Sequence, residues 1–292
     1  MTHVLTLIAA REAAPLTDTT IGLARDAIGG GALTVLSDGE AVDLACDLAP
    51  DLVRVRAALD GAAVDAIATM ADQRRKRLLI ADMDSTIITG ETLDELATYA
   101  GLGEKIAAIT ARAMNGELDF KAALRERVGM LRGLGVGALE QTWRGIRLTP
   151  GALELVATMK SNGAVTALVS GGFTFFTSRV AALVGFDLHR ANELLDDGTA
   201  LLGRVREPIL DRSAKLATLR ELTARHGLTA MDTMAVGDGA NDLDMLLAAG
   251  LGVAFHAKAI VAAAARARVD HGNLRALLFA QGYPAGAFVS AG

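Results

Sequence analysis

Residues 78–91, LLIADMDSTIITGE, restrict the possible folds of this chain more than any other stretch. Leu78 to Ala81 form an apolar run of strand length, and Asp82 and Asp84 fall where that strand should end. Residues two apart in an extended chain face the same side, so both carboxylates can serve one reaction centre. A buried carboxylate is costly unless it is paired or binds a metal, so the pair implies a nearby cation. The string D-x-D-x-T also opens an EF-hand calcium loop, but here the sixth position is Ile87 rather than Gly and the twelfth is Leu93 rather than Glu. An apolar strand, not a helix, precedes it.

The remaining chain decides between a chemical centre and an ordinary capped turn. At 292 residues there is room for two domains, and 51% hydrophobic residues suit a packed globular protein rather than a disordered one. A net charge of -5 argues against nucleic acid as the main partner. The lone cysteine, Cys46, has no internal partner for a disulfide, which fits a reducing cytoplasm. The N-terminal run VLTLIAA lacks a basic flank and reads as a strand, not a targeting segment. The longest apolar run, Met245 to Phe255, is too short to span a bilayer, so no membrane partner is expected.

Residues 1–75 read as a small α+β domain of ferredoxin-like or ACT-like type. His3 to Ala9 is a predicted strand, residues 17–28 a helix, and residues 32–37 and 40–46 a hairpin turning at Asp38-Gly39. Residues 51–72 read as mostly helical. The basic run Arg74 to Arg77 reads as a solvated connector, with the boundary to a second domain, 76–292, at that point.

From Glu91 to Pro150 the pattern is helical, broken near Gly101-Leu102-Gly103, Asn115-Gly116 and residues 133–137, so an inserted helical cap is expected over about 92–148. The helix starting near Asp119 carries Phe120, Leu124 and Leu131 on one stripe, with Arg127 in its middle. That guanidinium is either a snorkelling side chain covering the core or a bidentate clamp for a ligand carboxylate. Glu91 is either an acid in a helix's first turn or the holder of an ammonium.

Two further strand ends follow. Residues 164–169 run into Ser170-Gly171-Gly172, where glycines let backbone N–H groups approach an anion and Ser170 adds a hydroxyl. Residues 190–207 read as a hairpin over Asp197-Gly198, and Asp211 as the N-cap of a helix that places Lys215 on its apolar side. Residues 234–236 end in GDGANDLDML, a second acidic cluster of Asp238 and Asp242 with Asn241. His256 and His271 read as loop residues. Strands alternating with helices predict an α/β fold with a doubly wound parallel sheet, whose ligands bind at the carboxyl ends of the strands. Asp82, Asp84, Ser170 and Asp238 all fall at such ends.

In chain order, ADMDST, LVSGGF with the later Lys215, and VGDGAND resemble the motifs of the haloacid dehalogenase-like phosphatases. ITARAMNGELDFKAALRERV resembles the substrate-recognition segment in the helical cap of the phosphoserine-hydrolysing members, and the similarity runs from about residue 78 to 280. The resemblance implies a Mg²⁺-dependent phosphatase acting on O-phospho-L-serine at the close of serine biosynthesis. Asp82 would be the nucleophile and Asp84 the general acid and then base. The carboxylates of Asp82 and Asp238 with the carbonyl of Asp84 would hold Mg²⁺, supported by Asp242 and Asn241. Ser170, Gly171 and Lys215 would bind the phosphoryl oxygens. Glu91 and Arg127 would grip the amino acid, with Met114 and Phe120 closing over it. A phosphotransferase to another amino-acid hydroxyl, such as homoserine, and a non-enzymatic amino-acid or Mg²⁺ sensor are the alternatives.

Overall fold

The computed structural model describes residues 2–10, 14–115 and 117–290, without the Met114 side chain. Its first sheet is built by β1 (His3–Ala9), β2 (Leu33–Ser37), β3 (Ala41–Cys46) and β4 (Val64–Met70), with α1 (Asp18–Ala27) and α2 (Leu52–Leu59) in the connections. Strand order is β2-β3-β1-β4, all antiparallel. Thr17 and Asp51 cap the two helices by accepting backbone N–H bonds. The helix expected across residues 51–72 is corrected here. The left-handed pair Asp60 and Gly61 stops α2, and Val64 to Met70 then pairs with β1. Its alanines read as helix formers, but the two buried faces of a sheet also accept them.

The second sheet has six parallel strands in the order β12-β11-β10-β5-β6-β7. In chain order it comprises β5 (Leu78–Ala81); the helices α3 (Thr92–Thr98), α4 (Gly103–Met114), α5 (Phe120–Met130), α6 (Gly137–Gly145) and α7 (Ala152–Ser161); β6 (Val165–Phe173), α8 (Thr174–Val184) and β7 (Leu188–Asn192). A hairpin of β8 (Leu194–Asp196) and β9 (Leu201–Val205) precedes α9 (Arg212–Arg225). The chain then completes the sheet with β10 (Thr233–Gly237), α10 (Leu243–Ala248), β11 (Leu251–Phe255), α11 (Ala259–Ala264), β12 (Ala267–Val269) and α12 (Ala276–Ala280). The winding runs outward from β5 one way through β6 and β7, and the other way through β10 to β12. The reversal opens a crevice at the carboxyl ends of β5, β6 and β10.

Alternation along the strands builds two cores. Leu79, Leu168 and Val236 face α7, α8 and α12, while Leu78, Ile80, Ala167 and Ala235 face α9 and α10. Two local readings of this region are corrected. The hairpin is confined to β8 and β9, because residues 188–192 leave it to pair with β6 in the main sheet. The strand expected to stop at Val169 continues through a bulge to Phe173.

Helices α3 to α6 rise from this sheet on two short stems. Thr89 N–H donates to Arg147 O at 3.0 Å and Thr149 N–H to Ile87 O at 2.9 Å, tying the outgoing and returning chain together. The β8–β9 hairpin braces α5 through Gly133 N–H to Leu201 O at 2.9 Å and the return bond from Leu201 N–H to Leu134 O at 2.8 Å.

Within the basic run 74–77, Arg75 and Arg77 are exposed as a solvated connector requires, but Arg74 and Lys76 are not. Arg74 Nη1 binds Asp43 Oδ2 at 2.6 Å, Arg75 lies 3.4 Å over the ring of Tyr283, and the buried Lys76 gives its ammonium to the carbonyls of Gln73 and Met231, each at 2.7 Å. These bonds, with a bidentate Arg275–Glu40 pair at 2.9 Å, fasten the first sheet to the second. Ile8, Leu36, Ala41 and Ile67 pack into the same apolar core as α12.

Candidate active site

The tip of β5 enters a single wide turn. Ile88 N–H reaches back to Met83 O at 3.0 Å, and within the turn Ser85 adopts φ 53°, a left-handed conformation uncommon for a non-glycine residue. The turn separates the two acids by environment. Asp82 points into the crevice at 5% exposure, accepting Met83 N–H at 2.8 Å. Asp84 accepts Thr92 N–H at 2.8 Å and Ser170 O–H at 3.2 Å. Burial, opposed by the Thr92 N–H bond and reinforced by the charge of Asp82, raises the Asp84 carboxyl to about 6.

From the tip of β10 come Asp238 and Asp242. Oxygen atoms of Asp82, Asp238 and Asp242 lie within 4.8 Å of one another, all buried. Lys215 of α9 reaches in from beneath, 2.8 Å from Asp82 Oδ1 and 2.6 Å from Asp242 Oδ1. Burial alone would lower its ammonium, but Asp242 and Asp82 outweigh that and raise it. Burial and the Asp82 charge push Asp242 to about 7 despite Lys215. Asp238 is 2% exposed and, among the described residues, has no ion-pair partner; the Thr86 hydroxyl reaches it at 3.4 Å. Burial and then Asp242 and Asp82 raise its carboxyl well above the usual range.

Three carboxylates sharing one ammonium are short of positive charge. Hard oxygen donors in this number suit a hard divalent cation, and Asp238 is the donor most in need of one. Gly237 keeps the cluster tight, since a Cβ there would sit 2.4 Å from Asp242 Cγ.

At the tip of β6, Ser170 Oγ accepts Gly172 N–H at 2.8 Å. Asn192 holds the bulge by donating to Gly171 O at 2.8 Å. Above this floor the cap closes a cavity lined by Asp82, Asp84, Glu91, Phe120, Arg127 and Asn241. The Phe120 ring lies over Gly171, where a Cβ would come within 2.7 Å of its Cζ.

Arg127 is 6% exposed; Nε donates to Ala123 O at 3.2 Å and Nη1 to Thr110 Oγ1 at 2.8 Å. Among the described residues no carboxylate lies within ion-pair distance of it, although Asp94, Glu91 and Asp84 all act on its charge. Glu91 faces the same cavity, accepting Ser85 O–H at 2.5 Å, and burial together with Asp84 raises it to about 8.

The fold thus brings together Asp82, Asp84, Glu91, Phe120, Arg127, Ser170, Gly171 and Asn241 around one cavity, with Lys215, Asp238 and Asp242 in the carboxylate cluster beside it. The Met114 side chain and Gly116 lie outside the described residues. Sequence reasoning missed Thr110, Asp94 and Asn192. Each acts through a contact between distant elements, and none stands out by type or spacing. Ser85 was visible beside the acids, but only the turn shows it bonding Glu91. A larger cavity of about 650 Å³ lies behind the turn at Ser85 and Thr89, and its Glu40 and Arg275 are already paired with each other.

Acids from two strand tips of a doubly wound sheet thus meet beneath a helical cap, in a centre suited to a hard divalent cation. Residues 79–247 match the family model for haloacid dehalogenase-like hydrolases, and the chain belongs to that family.

Within the family the similarity is to phosphoserine phosphatases. One from Archaeoglobus fulgidus is 44% identical over 201 residues, covering 69% of this chain and 58% of that protein. The chain therefore matches little more than half the length of that relative. A solved phosphoserine phosphatase carrying a phospho-aspartyl intermediate analogue is 39% identical with a TM-score of 0.67, over 70% of this chain and 98% of the other. A haloacid dehalogenase-family hydrolase of Salmonella enterica serovar Typhi superposes with a TM-score of 0.82 at 29% identity, over 95% of this chain and 98% of that one.

Proposed function

We propose that this chain is a phosphoserine phosphatase, hydrolysing O-phospho-L-serine to L-serine and phosphate. One observation carries the choice of substrate. A buried arginine, Arg127, and a half-buried glutamate, Glu91, face the cavity that also holds the acid pair Asp82 and Asp84. An unpaired buried guanidinium calls for a ligand anion, and a carboxylate facing the same cavity calls for an ammonium. An amino acid supplies both.

In the first half-reaction Asp82 Oδ attacks phosphorus, the bond from phosphorus to the seryl oxygen breaks, and Asp84 delivers its proton to that oxygen. An aspartyl-phosphate forms on Asp82, splitting one difficult displacement into two. In the second, Asp84 takes a proton from water as the water attacks phosphorus, and the bond to Asp82 breaks to release phosphate. The raised carboxyl of Asp84 supports both duties, since a group near 6 holds and releases a proton around neutral pH. Ser170, the Gly171 N–H and Lys215 bind the phosphoryl oxygens, Phe120 and Met114 close over the substrate, and Asn241 and Asp242 support the floor. Held by Asp82, Asp238 and the Asp84 carbonyl, Mg²⁺ would supply positive charge where the phosphoryl group and the attacking carboxylate otherwise repel.

We assign residues 1–75 to a ferredoxin-like domain and 76–292 to the phosphatase domain, with the cap at about 92–148. No helix among the described residues is long and apolar enough to cross a membrane, and the one cysteine, Cys46, is buried and free. Both observations agree with the cytoplasm as the working compartment.

Phosphate release is to be measured over a panel of phosphomonoesters, with and without Mg²⁺, with homoserine present as an acceptor in one arm. Preference for phosphoserine, Mg²⁺ dependence, free phosphate in every arm and loss of turnover in Asp82→Asn are expected. Phosphohomoserine as the product would establish the transferase instead, and Asp82→Asn turning over normally would refute both.

A further inference from the structure

Three cap helices each contribute one residue to a chain of polar contacts ending at Arg127. Thr110 of α4 sits between Arg127 of α5 and Asp94 of α3. It accepts from Arg127 Nη1 at 2.8 Å, while its own hydroxyl lies 2.5 Å from Asp94 Oδ1 and 3.1 Å from Ile106 O. A hydroxyl has one proton to give. The shorter, charge-assisted contact to Asp94 takes it, which turns a lone pair toward Arg127. Thr110 is 4% exposed, so water does not readily replace either bond.

Asp94 and Arg127 are thus linked without being paired. A carboxylate in direct contact would occupy the guanidinium fork. With Thr110 interposed, the acid fixes the orientation of Arg127 and adds favourable charge, yet Nη2 has no protein acceptor among the described residues.

Resting on the phosphoserine reading above, we propose that Thr110 and Asp94 are positioning residues that hold Arg127 open toward the substrate carboxylate, making them determinants of amino-acid specificity. In Thr110→Val, Arg127 Nη1 and Asp94 each lose a partner in a buried site. The two opposite charges then turn to each other, and the fork closes on Asp94 instead of on substrate.

The test compares ligands that share one end of phosphoserine. For Thr110→Val the KM for phosphoserine is expected to rise about tenfold or more, with kcat nearly retained, the pattern of lost uniform binding. The KM for phosphoethanolamine, which lacks the carboxylate, and the Ki of inorganic phosphate should stay within about twofold of wild type. Thr110→Ser keeps the hydroxyl and should restore the phosphoserine KM. Asp94→Ala, a milder change at a half-buried helix terminus, should show the same selective loss and serves if the valine variant does not fold. An unchanged phosphoserine KM in both Thr110→Val and Asp94→Ala, or KM and phosphate Ki rising together, would overturn the proposal. Wild-type enzyme that fails to prefer phosphoserine over phosphoethanolamine would instead remove the reading on which it rests.

Discussion

Asp82, Asp238 and Asp242 illustrate how a residue's surroundings, not its type, give it a task. All three are aspartates within one small volume, yet Lys215 compensates only two of them directly. A pH consequence follows. Burial and neighbouring charge raise Asp84 to about 6, Asp242 to about 7 and Glu91 to about 8, and raise Asp238 as well. A carboxyl whose folded value lies above its unfolded one keeps its proton longer in the folded state. Folding is then linked to proton uptake, and stability falls as pH rises from about 4 through about 8. In chelator, the melting temperature should therefore drop between about pH 5.5 and about pH 8, and saturating Mg²⁺ should shrink that drop by stabilising the ionised forms. Thermal melts at both pH values, with EDTA and with Mg²⁺, measure it. Equal drops under the two conditions would mean that these acids do not meet a cation.

Between elements, the decisive contact is that of cap helix α5 with the bulge at the end of β6. Phe120 lies directly over Gly171, with no room for even one added methyl. The glycine thus lets the cap descend far enough for Arg127 to reach the cavity formed by the strand tips. Gly171→Ala should hold the cap off and raise the KM for phosphoserine about tenfold. In a Phe120→Ala background, where the clash is gone, the same glycine change should alter KM less than about twofold. If the glycine substitution costs as much without the ring as with it, backbone strain rather than cap closure is responsible.

Across the molecule, the first sheet is joined to the six-stranded parallel one by buried polar bonds as well as apolar packing. Asp65 of β4, 3% exposed, accepts backbone N–H bonds from Asp270 at 2.7 Å, His271 at 3.2 Å and Gly272 at 2.7 Å. Gly272 O in turn contacts His256 Nε2 at 2.8 Å, and Lys258 N–H donates to Asp238 O at 3.0 Å. Removing the Asp65 carboxylate strands those donors, so Asp65→Ala should cost about 2 kcal/mol or more in a urea melt, with Asp65→Asn losing less. A change within about 0.5 kcal/mol would show that the joint is carried by Arg74 and Arg275 instead.

The α/β alternation, the acids at strand ends and Arg127 on an apolar stripe were legible from residue order, because strand and helix periods are local properties of a chain. Asp211 as a helix cap and a helix start near Asp119 were legible for the same reason, and each aspartate accepts a backbone N–H in the first turn of its helix. The fourth strand of the N-terminal fold, β4, was not. Val64 to Met70 has the composition of either element, and only pairing with β1, more than fifty residues earlier in the chain, makes it a strand. Nor was the fate of Arg74 to Lys76, whose partners Asp43, Tyr283 and Met231 lie far away in sequence. Local order thus dictated which elements carry the acids, the glycine turn and the arginine. Which groups share a metal-sized volume, which arginine stays unpaired and what holds it so were decided when distant segments packed, since charge and hydrogen bonding depend on distance in space.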